Sequence, residues 1–427
     1  MGSRRLSGWI LLVVTLAAYA AVLTKATPSN PEISAITSWL SAHAIRFDTT
    51  NPTANLNDLA PLKSMIGDAR IIALGEATHG THEFFQMKHR LLEFLVEEKG
   101  FNTFAIEANW PEANLIDDYI HTGQGDPSAL LKGLYFWTWD TQEVLDMIQW
   151  MRAYNENPDH PSKISFFGFD MQYDQMARTN VVHYVQQADP QAAGQLVENY
   201  ACYPQLSPDC LQKFQDVYDW LDQHRAALIA QSAPVKFDLA LHSARIVIQS
   251  VDLAAHPSDF FLRDQYMAEN IKWILDQAGP AAKIVLWAHN AHVGIGWEGT
   301  SRSMGRYLRE QYGTQIVVFG FLFDQGSFNA YGKGKNYPQA FQVGPLPADS
   351  VEYYFHAVGL PRFFLDLRSV ESGTPAGDWL LSPHPFRLIA AYYDPYKPQV
   401  GFQTAALAKV FDVVAYFQDT SPSILMK

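Results

Sequence analysis

Positive charge is in short supply in this chain. Its 31 Lys and Arg stand against 44 Asp and Glu, a formal net charge of −13, so the excess of cations that neutralises phosphates in a nucleic-acid binder is missing. Cysteine is scarcer still, with only Cys202 and Cys210, and neither has the setting of a catalytic thiol. There is no G-x-S-x-G nucleophile elbow, which disfavours a serine route of the α/β-hydrolase kind. No Walker A sequence is present, and no internal repeat or long low-complexity tract interrupts the chain. What is there in quantity is apolar: hydrophobic residues make up 48% and charged residues 18%, the balance of a globular protein. A chain of 427 residues buries a large core, as one α/β domain or a domain with a sizeable insertion. Aromatics at 13%, with 11 Trp, suit a pocket for a bulky organic ligand, although core packing is their default role.

The first residues carry an export message. Arg4 and Arg5 precede an uncharged apolar run from Trp9 to Leu23, followed by small and polar residues and Pro28. A basic start, a short apolar stretch and a candidate cleavage point after Ala20 or Ala26 make a signal peptide over residues 1–26. The run is shorter than the ~20 residues of a membrane helix, so no stable span is expected after cleavage. The two cysteines agree with export. They lie close together around a turn-rich stretch with two prolines, Pro204 and Pro208, and an even count at short spacing in an exported protein implies a disulfide. The expected location is periplasmic or secreted, with residues 27–427 as a single domain.

One stretch organises that domain. Arg70 to Leu74 reads as an apolar strand, Gly75 turns the chain, and Glu76 and His79 follow before a helix whose apolar positions include Phe84, Phe85, Leu91, Leu92 and Leu95. Gly100 suits the helix C-cap, and a second strand, Phe101 to Ile106, ends in Glu107. A β–turn–α–β unit with a right-handed crossover makes the two strands parallel, which puts Glu76 and Glu107 on one edge of a sheet. From about 110 to 280 the pattern is mostly helical, with one buried strand ending in Asp170, and reads as a helical insertion covering one side of the sheet. The alternation resumes at Lys283 to Ala288, followed at once by His289 and His292. Later strands are expected at Thr314 to Phe323, Arg362 to Leu367, Phe386 to Tyr393 and Asp412 to Phe417. The fold class is therefore α/β, with a mixed, largely parallel central sheet flanked by helices.

Three strand ends thus deliver Glu76, His79, Glu107, His289 and His292, at the edge where α/β proteins carry their chemistry. A single His near a strand end is usually structural; five such groups together point to a functional cluster. Two chemistries fit. In one, His79 deprotonates a water that attacks an ester or lactone carbonyl, a Glu orients the imidazole, and another His polarises the carbonyl or protonates the leaving alkoxide. In the other, the same groups hold a divalent metal such as zinc that generates the hydroxide; the His289-x-x-His292 spacing is compatible with that and weak evidence for it. An exported ligand-binding or cell-envelope protein without turnover, and a metal-dependent phosphate or glycan ester hydrolase, stand as alternatives. Lys88 would hold a substrate oxygen and Trp110 an apolar wall, while Asp170 reads as a structural cap. Gly294 to Gly299 matches G-x-G-x-x-G, but the intervening His289 to Val293 separates it from the strand it should follow, so dinucleotide binding is disfavoured.

Several long motifs carry a resemblance. The stretches from Gly75 to Phe101, Ala105 to Ile120, Trp137 to Asn155, Phe166 to Gln172 and Trp287 to Val293, with Phe363 to Arg368 and Phe386 to Pro395, resemble the erythromycin esterase family in the right order across nearly all of the mature chain. The resemblance implies hydrolysis of macrolide lactone rings, a His base that activates water, and a mixed α/β core with a helical portion over a deep cleft. Carried onto matching positions, the base is His79, supported by Glu76 and Glu107, with His289 and His292 completing the cleft. The implied partner is a small-molecule ester or lactone.

Overall fold

The structure is a computed structural model that describes residues 30–426 apart from 203–207, 260 and 298–301. The expected signal peptide, residues 1–26, lies outside the described residues, as do Glu298 and Gly299 of the glycine motif. Eleven strands are described, numbered in chain order: β1 (Ile45–Arg46), β2 (Ile71–Leu74), β3 (Thr103–Asn109), β4 (Ser165–Asp170), β5 (Ile284–Trp287), β6 (Ile316–Tyr331), β7 (Pro338–Val343), β8 (Arg362–Asp366), β9 (Pro383–Arg387), β10 (Phe402–Ala406) and β11 (Val413–Thr420). Nine form one sheet in the order β1-β8-β11-β6-β2-β5-β3-β4, with β7 paired to β6. The run from β11 to β4 is parallel, while β1, β7 and β8 pair antiparallel at the margins. This is the mixed, largely parallel α/β sheet the alternation predicts.

Central strands are buried on both faces, as parallel sheets require. Ile71 and Ala73 of β2 enter one core and Ile72 and Leu74 the other, and all four are fully buried. The helix His82–Lys99 and the helices between Trp110 and Glu156 contribute to the second core. Those from Gln175 to Ala278 contribute to the first. The mostly helical region thus divides between two layers, because β4 interrupts it and joins the sheet as an edge strand. Gly100 caps the helix His82–Lys99 at φ 68°, its N–H bonded to Leu95 O. Cys202 and Cys210 form the disulfide, with Cα atoms 5.7 Å apart, joining the chain after the helix Pro190–Tyr200 to the helix Pro208–Gln223.

Two features position the functional edge. β2 and β3 are not neighbours: β5 lies between them, with Trp287 in register with Leu74 on one side and Ile106 on the other. The segment after β5 therefore emerges between Glu76 and Glu107. The expected strand Phe386 to Tyr393 is a correction. Only its start belongs to β9, which pairs with β10 in a separate two-stranded sheet. The chain beyond leaves the strand and ties to the turn after β2 through Ile389 N–H to Ala77 O at 2.6 Å. Among the described residues no helix is long and apolar enough to cross a membrane.

Candidate active site

The turn after β2 is held by close packing. A Cβ on Gly75 would sit 2.1 Å from Asn290 Oδ1, and one on Gly80 would sit 2.2 Å from Asn329 O; only glycine permits these approaches. Asn290 in turn bonds Phe321 through both side-chain atoms, at 2.9 and 3.2 Å, locking the turn after β5 to β6. The C-terminal segment braces the same place. Ser423 N–H bonds Gly80 O at 2.9 Å, and Ile424 N–H bonds the buried Glu143 carboxylate at 3.0 Å.

Glu76 is fully buried and uses both oxygens. Oε1 lies 2.8 Å from His79 Nδ1, and Oε2 accepts from Lys88 Nζ at 2.7 Å and from Trp287 Nε1 at 2.8 Å. Burial pushes this carboxyl up, but Lys88 first and His79 second outweigh it and hold the group below its ordinary range. An ionised carboxylate only accepts hydrogen bonds, so Nδ1 of His79 carries the hydrogen and the lone pair falls on Nε2. The His79 side chain is 12% exposed, and that nitrogen is the one unclaimed by Glu76.

His289 has the opposite tautomer. Its ring centre lies 4.8 Å from that of His79. Its Nδ1 accepts from Ala291 N–H at 3.2 Å and its Nε2–H donates to Ile389 O at 3.1 Å. Burial is the main reason its pKa is pushed down to about 3, so it is a neutral ring beside His79. Trp139 sets its ring edge-on to His79 at 6.4 Å and donates Nε1–H to Glu107 O at 3.0 Å.

Glu107 holds the other half together. Oε2 accepts from His289 N–H at 3.0 Å, while Oε1 lies 2.7 Å from Arg263 Nη2 and 3.3 Å from His292 Nε2. Burial raises this carboxyl, and His292 and Arg263 more than reverse that, leaving it well below its ordinary range. His292 Nδ1 meets Asp264 Oδ1 at 2.9 Å. Its Nε2 is contested, since Arg263 Nη1 at 3.0 Å would need a lone pair there and Glu107 would need a proton. Three carboxylates (Glu107, Asp170, Asp264) around two cations decide for the imidazolium at rest. Burial opposes that charge, but Asp264 and Glu107 push the pKa up to about 10.

A pH dependence follows. Folded His292 keeps a proton that an unfolded imidazole loses near 6.5. Its stabilisation is complete below that value and is lost as pH rises toward about 10. The margin in unfolding free energy of the native chain over His292→Gln should therefore shrink steadily between about pH 6 and about pH 10 in denaturant titrations. A margin that is flat or widens over that range would contradict the imidazolium assignment.

All five residues expected at the strand ends, Glu76, His79, Glu107, His289 and His292, converge. Two expected substrate contacts do not. Lys88 is fully buried behind Glu76, with Nζ 4.5 Å from the Trp287 ring centre, so it supports the carboxylate and cannot reach a ligand. Trp110 is fully buried in the helical core, edge-on to His242 and Trp273 at 4.6 and 5.4 Å, and is no cleft wall. Asp170, read as a cap, instead grips Arg263 at 2.7 Å. Arg263 and Asp264 were not anticipated; an Arg–Asp pair at the start of a helix carries no local sign of a site 156 residues away. Trp287 was legible only as a strand residue. Among the described residues, no three His, Cys, Asp or Glu side chains are grouped as a metal-binding set would be.

Residues 96–420 match the sequence profile described as Erythromycin esterase, a span that contains Glu107, Arg263, His289 and His292. The chain belongs to the erythromycin esterase family. Within the family, the chain is 25% identical to the erythromycin esterase type II of Escherichia coli, over 90% of this chain and 98% of that one. A crystal structure of a Bacillus cereus protein superposes with a TM-score of 0.82 at 32% identity, covering 94% of this chain and all (100%) of that one. A mutant of the erythromycin esterase EreC, in its open conformation, shares the fold with a TM-score of 0.70 at 15% identity, over 90% of this chain and 99% of that one. The family is one of esterases, a class of hydrolases.

Proposed function

We propose that this protein is an exported carboxylic ester hydrolase that opens a lactone or other bulky ester by attack of a water deprotonated by His79. The observation that carries this reading is the Glu76–His79 pair: a buried carboxylate fixes the Nδ1–H tautomer and turns the Nε2 lone pair outward on a partly exposed ring. In the attack, the water oxygen bonds to the carbonyl carbon as its proton passes to His79 Nε2. Breakdown of the tetrahedral intermediate sends the electron pair of the broken C–O bond to the leaving oxygen, which takes the Nε2 proton of His292. His292 is 18% exposed and is kept charged by Asp264 and Glu107, so it suits that second task.

A bulky substrate is supported by partly exposed aromatics near the site. Tyr135 lies 5.5 Å from Tyr173 and Trp137 lies 5.6 Å from Tyr331, ring centre to ring centre. Tyr135 and Trp137 sit on the segment that leads into Trp139, Tyr173 follows Asp170, and Tyr331 ends β6. Tyr135, 58% exposed, is the one non-glycine residue at positive φ among the described residues, a strain often found where ligands are gripped. Erythromycin, a macrolide lactone, is one such bulky ester, named in the description of the family and of its Escherichia coli type II member. The disulfide supports the exported setting.

The reading is tested by incubating the purified protein with a panel of macrolides, simpler lactones and acyclic esters and following them by mass spectrometry. At least one member should gain one water in a ring-opened product, or split into acid and alcohol. No product from the whole panel, with and without added divalent metals, would rule the reading out.

A further inference from the structure

Arg263 takes no part in the water attack, yet its guanidinium meets three side chains at the site, Asp170, Glu107 and His292. Nε and Nη2 form a bidentate pair with Asp170 at 3.1 and 2.7 Å, and Nη2 also reaches Glu107 Oε1 at 2.7 Å. Nη1 lies 3.0 Å from His292 Nε2. Asp170 is a firm anchor: it is fully buried at the end of β4, and it also accepts from Met171 N–H at 2.9 Å and Gln172 Nε2 at 2.7 Å. The next residue, Asp264, takes His292 Nδ1 and Met304 N–H on one oxygen, at 2.9 and 2.7 Å. Two consecutive residues at the start of the helix Leu262–Ala278 therefore face both nitrogens of one imidazole.

That grip has a chemical consequence. Nδ1–H is committed to Asp264, so a proton can leave His292 only from Nε2. At rest the Nε2–H points toward Glu107 Oε1, the same oxygen that Arg263 Nη2 already holds. Once the proton has gone, a lone pair on Nε2 would face a carboxylate oxygen in a buried site, which is repulsive. Arg263 Nη1–H is in place to take it.

We propose that Arg263, anchored by Asp170, is the positioning residue for proton delivery from His292 to the leaving oxygen, donating to Nε2 in the half of the cycle when that ring is neutral. This rests on the ester hydrolase reading. The exchange balances: the Nε2–H bond breaks and the leaving oxygen's O–H bond forms, while His79 keeps the proton taken from water. One proton then passes through solvent from His79 to His292 and restores both rings. A lysine would not serve, since its ammonium cannot offer fixed donors to Asp170, Glu107 and His292 in one plane.

The test uses esters that share one acyl group accepted by the native enzyme and differ in the leaving alcohol, from a nitrophenol to an alkyl alcohol. A nitrophenolate leaves without protonation, whereas an alkoxide needs it. Arg263→Lys should lose about 100-fold in kcat on the alkyl ester, the size of a lost general acid, and less than about tenfold on the nitrophenyl ester. Asp170→Asn keeps the shape and the arginine, and should show the same selective loss in smaller degree; it serves the comparison if Arg263→Lys does not fold. Equal losses across the series, or none, would overturn the role of Arg263. A native enzyme that hydrolyses no ester at all would instead overturn the reading beneath it.

Discussion

His79→Ala should remove about three powers of ten or more of hydrolytic turnover, the upper part of what a positioned general base supplies. The ring it removes carries the Nε2 that Glu76 leaves unclaimed, whereas His289 spends its lone pair on Ala291 N–H and His292 is held as the imidazolium. The fold should survive the change. Glu76 keeps Lys88 and Trp287 on Oε2, and the partly exposed space left by the ring admits water to Oε1. The unfolding free energy is therefore expected to stay within about 1.5 kcal/mol of the native value, the worth of one hydrogen bond. Substrate loss and product gain by mass spectrometry, with a denaturant titration of the same sample, check both halves. Turnover within about tenfold of native would put the base elsewhere.

Lys88→Met should produce the largest loss of stability in the molecule's functional edge. The pair it breaks is buried on both sides, with Lys88 and Glu76 at 0% exposure and 2.7 Å between Nζ and Oε2. Met keeps most of the stem volume, so the change isolates the charge. Removing one partner of a buried pair leaves an uncompensated charge and costs about 3–5 kcal/mol. The burial that raises the Glu76 carboxyl would then meet less opposition. A protonated Glu76 no longer fixes the His79 tautomer, so activity should fall with stability. The double variant Lys88→Met/Glu76→Gln separates the two effects. It should recover much of the stability, since no charge is left stranded, and none of the activity, since His79 has lost its carboxylate. Recovery of activity in the double variant would show that Glu76 does not orient the base.

The burial of Lys88 has a reason that is present in the sequence. Lys88 lies four residues after Phe84 and three and four before Leu91 and Leu92, in the apolar stripe of its own helix. A charged residue at such a position is buried with a partner, and Glu76 was the carboxylate at hand. Trp110 is a different case. It begins a helix directly after β3, where no spacing tells which layer a first residue enters. Phe386 to Tyr393 departs from the expected strand because apolar content alone does not separate a strand from a chain held by single hydrogen bonds, such as Ile389 N–H to Ala77 O.

The sequence by itself determined the α/β class, the disulfide, the family and the five groups at three strand ends. Each of these is a local pattern: a strand's apolar run, a turn glycine, a polar residue just past it, two cysteines eight apart. Only the tertiary structure decided that β5 lies between β2 and β3, because a right-handed crossover fixes the direction of two strands and not their adjacency. That one choice of order brings His289 against His79 and its backbone N–H against Glu107. The same holds for Arg263 and Asp264, whose charges matter only because a helix start from the far layer reaches the strand ends. Local residues supply the chemistry; strand order and helix placement decide which nitrogen carries the proton.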